Sequence, residues 1–316
     1  MDPIIDYGHG IFAIDSGFTR PKLAAVYAIV EDGRAALVDT AASPNAATVL
    51  AALAARGLQP AQVDWILLSH IHLDHAGAAG ALMAALPNAR LAVHKRGARH
   101  MADPSRLIAG TIAVYGEVAT REKYGEILPV AAARIVEVHE GSTVTLGART
   151  LRVLDTPGHA PHHVCYLDDA TGHIFAGDAF GLSYRELDRA GRAFVLPVTT
   201  PPQFEPEAMH ESVARIAALQ PEAVYVTHFG QIRDIPRLAG DLHRLIDSYV
   251  AAARSALGTG ARRHEQICAA LAALFEEEAG RQNWGLRGDA MQDLLAGDIA
   301  VNAQGLGEWL DKQTSR

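Results

Sequence analysis

Short apolar runs separated by turn formers fill the first part of the chain, and long amphipathic stretches fill the last. Gly10 to Ile14, Ala24 to Val30 and Ala35 to Asp39 are short and β-rich, so they predict strands, with Glu31-Asp32-Gly33-Arg34 as a hairpin turn between the last two. Ser43 is placed to cap a helix, Pro44 suits its first turn, and alanine-rich residues carry it to Arg56 and Gly57. The apolar run Val63 to Leu68 reads as a buried strand. A small-residue helix from about Ala76 to Leu86 follows, and Leu91 to His94 predicts another strand.

Lys95 to Arg134 breaks this rhythm with helical, aromatic-bearing material around Tyr115 and Tyr124, and reads as an insertion over one end of the sheet. A second β-rich stretch starts at Ile135 and continues through Thr143 to Leu146, Leu151 to Val153, Val164 to Leu167 and Ile174 to Ala176. A proline-rich loop from Pro197 to Pro206 then leads to a helix ending near Leu219 and to a strand over Ala223 to Val226. From Ile232 onward the pattern is helical, with breaks expected at Gly258-Thr259-Gly260, around Asn283 to Gly288, and near Gly297. Strands, helices, strands and helices in that order imply two similar halves placed back to back, with helices outside. The expected division is residues 1–232 as one domain, with the insertion at about 95–134, and 233–316 as a helical extension.

Composition adds exclusions. Hydrophobic residues at 49% and charged residues at 20% are those of an ordinary globular chain. A net charge of −8 argues against nucleic acid or an anionic membrane surface as the main partner. Cys165 and Cys268 are too few for a disulfide framework and suit a reducing compartment. The opening Met1-Asp2-Pro3-Ile4-Ile5-Asp6 lacks a basic region followed by an apolar one, so a cytoplasmic location is expected.

The chemistry concentrates in Ser69-His70-Ile71-His72-Leu73-Asp74-His75-Ala76-Gly77, directly after the Val63 to Leu68 strand. Imidazoles and a carboxylate together are ligands for a borderline divalent metal such as zinc, iron or manganese. Four such groups within one turn suggest more than one ion. Three further ligand types also follow strands: His159 in Thr156-Pro157-Gly158-His159, Asp178 after Gly177, and His228 in Thr227-His228-Phe229-Gly230. Ligands delivered from the carboxyl ends of separate strands converge where α/β sheets usually bind substrate.

His70-x-His72-x-Asp74-His75, then His159, Asp178 and His228 in that order, together with Asp39 in Leu37-Val38-Asp39-Thr40, resemble the five motifs of the metallo-β-lactamase fold superfamily over roughly Ile4 to Ile232. The resemblance implies a four-layered αβ/βα sandwich, here with a C-terminal helical extension. It implies that His70, His72 and His159 hold one metal, that Asp74, His75 and His228 hold a second, and that Asp178 bridges them. A bridging carboxylate is the pattern of the glyoxalase II-like and lactonase-like branches. Asp39 is expected to support the ligands from behind, fixing a ring or a backbone amide, with capping of the Ser43 helix as the competing role.

A water between two divalent ions becomes hydroxide near neutral pH and is set to attack a carbonyl. The expected enzyme is therefore a dinuclear hydrolase, most simply a zinc one, acting on an ester, lactone or thioester of a small molecule, with Asp74 handling the proton. The alternative is an oxidoreductase of the mononuclear iron, persulfide-oxidising kind. A homodimer is the default for such enzymes. Tyr184 is a candidate to touch substrate, against the plainer expectation of a tyrosine packed under a loop. Of His162 and His163, one is expected to pack or hydrogen-bond near the rim, while His94, His100, His139, His173 and His210 are expected in ordinary polar roles.

Overall fold

The computed structural model describes residues 3–314; Met1 and Asp2, where the opening segment begins, lie outside them. One sheet comprises β1 (Ile4–Asp6), β2 (Ile11–Asp15), β3 (Ala25–Glu31), β4 (Arg34–Val38), β5 (Val63–Leu67), β6 (Arg90–His94) and β7 (Ile135–Val138), in spatial order β1 to β7. Its first four strands are antiparallel neighbours, and β4 to β7 pair in parallel. The second sheet comprises β8 (Thr143–Leu146), β9 (Arg149–Asp155), β10 (Val164–Asp168), β11 (Ile174–Gly177), β12 (Val224–Val226) and β13 (Gly230–Ile232), in the order β13-β12-β11-β10-β9-β8.

The helices are α1 (Ala46–Ala55), α2 (Leu73–Ala76), α3 (Ala79–Ala85), α4 (Lys95–Ala102), α5 (Ser105–Tyr115), α6 (Glu117–Tyr124), α7 (Pro206–Ala218), α8 (Ile235–Ser255), α9 (Gly260–Gln282) and α10 (Gly288–Thr314). Among the described residues, no helix is long and apolar enough to cross a membrane.

Alternation along the strands explains the layering. On β3, Val26 and Ala28 join Val49 and Leu53 of α1, Leu82 and Met83 of α3 and Met101 of α4 in one core. Tyr27 and Ile29 point the other way, into a second core with Val153, Tyr166, Phe175 and Tyr225 of the second sheet. A period of two thus packs one strand against helices on one face and a sheet on the other.

The chain forms two compact units. The first runs to Asp155 and adds His162–Gly177 and Pro221–Gln231, so it contains most of both sheets. The second takes Thr156–Pro161, Asp178–Gln220 and the chain from Ile232 onward. This differs from a simple division at 232, because α7 and two loops group with the C-terminal helices. Within the second unit, Leu238, Leu242 and Leu245 of α8, Ile267, Leu271 and Phe275 of α9, and Leu295, Leu306 and Trp309 of α10 are buried at helical spacing.

Several local expectations change. Ser43 begins a short 3-10 turn, Ser43–Asn45, whose cap position is Ala42, so Ser43 does not cap α1. The helix expected from about Ala76 to Leu86 appears as α3, starting at Ala79, and the separate short α2 precedes it over the ligand motif. Helix α10 runs through Gly297 without a break. A lone glycine costs a helix about 1 kcal/mol relative to alanine, which the apolar packing of α10 readily outweighs. The strands β1 and β13, three residues each, carry too little pattern to have been expected.

Candidate metal centre

In the first unit the ligand-type residues hang from three segments gathered by one carboxylate. Asp39 follows β4 in a left-handed conformation, φ 59°, which aspartate tolerates better than most residues. It is fully buried. Its Oδ1 accepts from the Ser69 backbone N–H at 2.8 Å and the Ser69 hydroxyl at 2.9 Å. Its Oδ2 accepts from His75 Nδ1 and from Thr227 Oγ1, both at 2.8 Å. The loops after β4, β5 and β12 are therefore tied at one point. Asp39 makes these bonds rather than a helix cap.

His70 is buried after β5 and His72 begins the short α2, with His70 Nε2 2.9 Å from His72 Nδ1. Asp74 and His75 lie on α2, and the His75 carbonyl accepts from the Thr40 backbone N–H and hydroxyl, each at 2.7 Å. That docks the four-residue helix, which could not stand alone. His228 donates Nδ1–H to the Leu23 carbonyl at 2.9 Å. The donor atoms of Asp74, His75 and His228 all lie within 4.8 Å of one another.

In the second unit, His159 is buried and donates Nδ1–H to the Val198 carbonyl at 2.9 Å. Its Nε2 lies 3.5 Å from Asp178 Oδ2. The Pro157-Gly158 turn before it is clamped onto α7: Ser212 donates to the Pro157 carbonyl at 2.6 Å, and the Glu205 N–H donates to the Gly158 carbonyl at 2.8 Å.

These residues fit a divalent cation. His75, His159 and His228 each offer Nδ1 to an atom that can only accept, a carboxylate or a carbonyl oxygen. Nδ1 therefore carries the proton in the neutral ring, and Nε2 is the ligand atom; fixing the tautomer this way is characteristic of metal-binding histidines. Asp74 Oδ2 stands 3.4 Å from His228 Nε2 and 3.9 Å from His75 Nε2. Those separations are long for N–H···O hydrogen bonds and suit donors sharing an ion with bonds of about 2.0–2.2 Å.

Further side chains complete the surroundings. Ser69 and Thr227 matter through Asp39, and their only advance signal was adjacency to His70 and His228. Tyr166 donates its hydroxyl to the Leu68 carbonyl at 2.9 Å, and burial, with the Asp39 charge adding, pushes its pKa well up, so it remains a donor. The rings of His163 and His162 stack on His70 at 5.0 and 6.2 Å between centroids. Beside Asp74, Phe18, Leu73 and Tyr124 form an apolar group against which Leu23, Leu107 and Tyr115 pack. Burial and the nearby Asp74 charge raise the Tyr124 pKa far above its ordinary value. Tyr184 is buried, and its hydroxyl donates to Asp298 of α10 at 3.0 Å, as a packed tyrosine would. His94 caps α4 by accepting from the Arg96 N–H, and His173 pairs with the Tyr225 hydroxyl.

Residues 19–228 match the family model described as the metallo-beta-lactamase superfamily. The chain belongs to that superfamily. Its two sheets with helices are the superfamily's αβ/βα sandwich, and C-terminal helices follow. It is 25% identical over 234 residues to the metallo-beta-lactamase fold-containing protein ST1585 of Sulfurisphaera tokodaii, covering 71% of this chain and 79% of that protein. It is 32% identical over 214 residues to a hydroxyacylglutathione hydrolase of Acidiphilium cryptum, covering 66% and 67% respectively. A hydroxyacylglutathione hydrolase of Fuscovulum blasticum is 31% identical over 192 residues, a match spanning 61% of this chain and 56% of that enzyme. Among solved structures, a metallo-beta-lactamase family protein from Thermus thermophilus superposes with a TM-score of 0.68 over 96% of this chain and 94% of its own, at 22% identity.

Proposed function

We propose that this superfamily member is a dinuclear metal-dependent hydrolase of small acyl compounds, with thioesters first and lactones or other esters next. In this reading His70, His72 and His159 would hold one ion and Asp74, His75 and His228 the other, with Asp178 as the carboxylate that would serve both. The observation that carries the reading is the locked tautomer of His75, His159 and His228, which presents Nε2 as ligand atom on each. Similarity to hydroxyacylglutathione hydrolases supports the thioester class.

Two divalent ions, zinc in the simplest case, would supply Lewis acidity toward a carbonyl and an ionised water near neutral pH. The chain's own residues do the rest. Asp39 holds the His75 ring, the Ser69 backbone and the Thr227 hydroxyl in one arrangement, so little reorganisation is needed at reaction. Asp74 has its side chain 24% exposed, against 0% for His75, so its carboxylate has access to solvent. Its carboxylate takes the proton of the attacking water and returns it to the leaving group. The buried apolar group around Leu73 and Tyr124 lowers the polarity beside Asp74.

The test is a metal count on purified protein followed by assay against thioesters, lactones, phosphodiesters and persulfides. Two zinc ions per chain with thioester or lactone turnover is the expected result. One iron per chain with oxygen uptake on a persulfide would replace this reading by an oxidoreductase.

A further inference from the structure

Helix α10 meets the segment from Asp178 to Thr199 along one stripe of its surface. Asp298, Asn302 and Gly305 stand at positions i, i+4 and i+7, hence on one face. Asp298 accepts from the Tyr184 hydroxyl at 3.0 Å. Asn302, buried in an otherwise apolar stretch, accepts at Oδ1 from the Thr199 backbone N–H at 2.6 Å and from its hydroxyl at 2.9 Å. A Cβ on Gly305 would sit 1.6 Å from the Thr199 carbonyl oxygen, so only glycine admits this approach.

The segment folds back on itself, with Leu182 and Leu196 exchanging backbone hydrogen bonds of 2.9 and 3.0 Å. Asp178 begins it. Near its other end, one residue before Thr199, the Val198 carbonyl receives His159 Nδ1–H. Two metal-ligand candidates therefore depend on a backbone segment held by the C-terminal helix.

We infer that Asn302 is a positioning residue for the metal centre: through Thr199 it sets the Val198 carbonyl, and thereby the His159 ring. The C-terminal helices are then part of the active-site frame. This rests on His159 being a metal ligand, as proposed above.

The test is zinc titration of metal-stripped full-length protein against a chromophoric chelator, with thermal melting of the stripped protein alongside. Asn302→Ala should weaken one of the two zinc-binding steps by about ten- to a hundredfold and leave the other within a few-fold. Asn302→Asp keeps an acceptor oxygen facing Thr199 and should restore that step. If Asn302→Ala does not fold, Thr199→Val, which keeps the backbone N–H donor, should show the same selective weakening in milder form. Unchanged zinc binding in the folded variants, or equal weakening of both steps in parallel with a lower melting point, overturns the inference while leaving the metal site standing. A wild-type chain that takes up no zinc overturns the metal reading itself and this inference with it.

Discussion

At Asp39 a single carboxylate with no solvent exposure accepts from Ser69, His75 and Thr227. Asp39→Asn sets an amide NH₂ against at least one of those donors. A buried donor left unmatched costs about 1–3 kcal/mol, so the urea midpoint should drop accordingly. Zinc affinity should fall by about ten- to a hundredfold, because His75 loses the partner that fixes its tautomer. A variant with wild-type midpoint and zinc affinity would refute the role given to Asp39. Asp74→Asn keeps shape and one ligand oxygen but not the base. Both ions should remain by elemental analysis while single-turnover hydrolysis collapses; full turnover in that variant would remove Asp74 from proton transfer. At this scale the seven ligand-type residues and Asp39 were legible as candidates, because each is a chemically distinctive side chain just after an apolar run. Ser69 and Thr227 were not, since a hydroxyl has meaning here only through the carboxylate it meets across the fold.

Individual elements show where local pattern stops deciding. The β4-β5-β6 strands and α8 to α10 followed from periodicity, whereas the cap at Ser43 and the break at Gly297 did not appear. Both expectations weighed a local preference of about 1 kcal/mol, and packing of an apolar face is worth several times that. The turn before His159 is different: Gly158 has φ 132°, and a Cβ there would approach the Met209 backbone to 2.4 Å. Gly158→Ala should therefore push the His159 loop off α7 and lower zinc affinity, with a smaller loss of stability than a core cavity; unaltered zinc affinity would show that the loop adapts. At the base of β9, Arg149 donates to Asp168 at 2.9 Å, both side chains being buried. Burial alone would push the Asp168 carboxyl up; hydrogen bonds from Arg149 and Thr171 outweigh it and hold the pKa below its ordinary value. A depressed carboxyl contributes stability above its unfolded pKa, about 3.9, that is lost as pH falls through the folded value. Arg149→Met should thus cost about 3–5 kcal/mol at neutral pH and less as Asp168 protonates in acid, read from denaturation midpoints against pH.

For the whole molecule, the proposed metal centre ties stability to metal concentration. An ion bound by the native chain alone raises stability with its free concentration, so stripping with a chelator should lower the melting temperature and zinc should restore it in a dose-dependent way. A melting temperature indifferent to zinc would contradict a site assembled only on folding. Cutting the chain after residue 232 should leave no stable metal-binding fragment, since His159 and Asp178 belong to the unit that contains α8 to α10. The order of motifs, the ligand types and the strand-helix rhythm were written in the sequence, because hydrophobic period and side-chain chemistry act locally. Which carbonyl fixes each imidazole, and that the C-terminal helices group with two candidate ligands rather than standing apart, was decided only by tertiary packing. Hydrogen bonds such as that of Thr199 to Asn302 join residues 103 apart along the chain, and no local pattern encodes them.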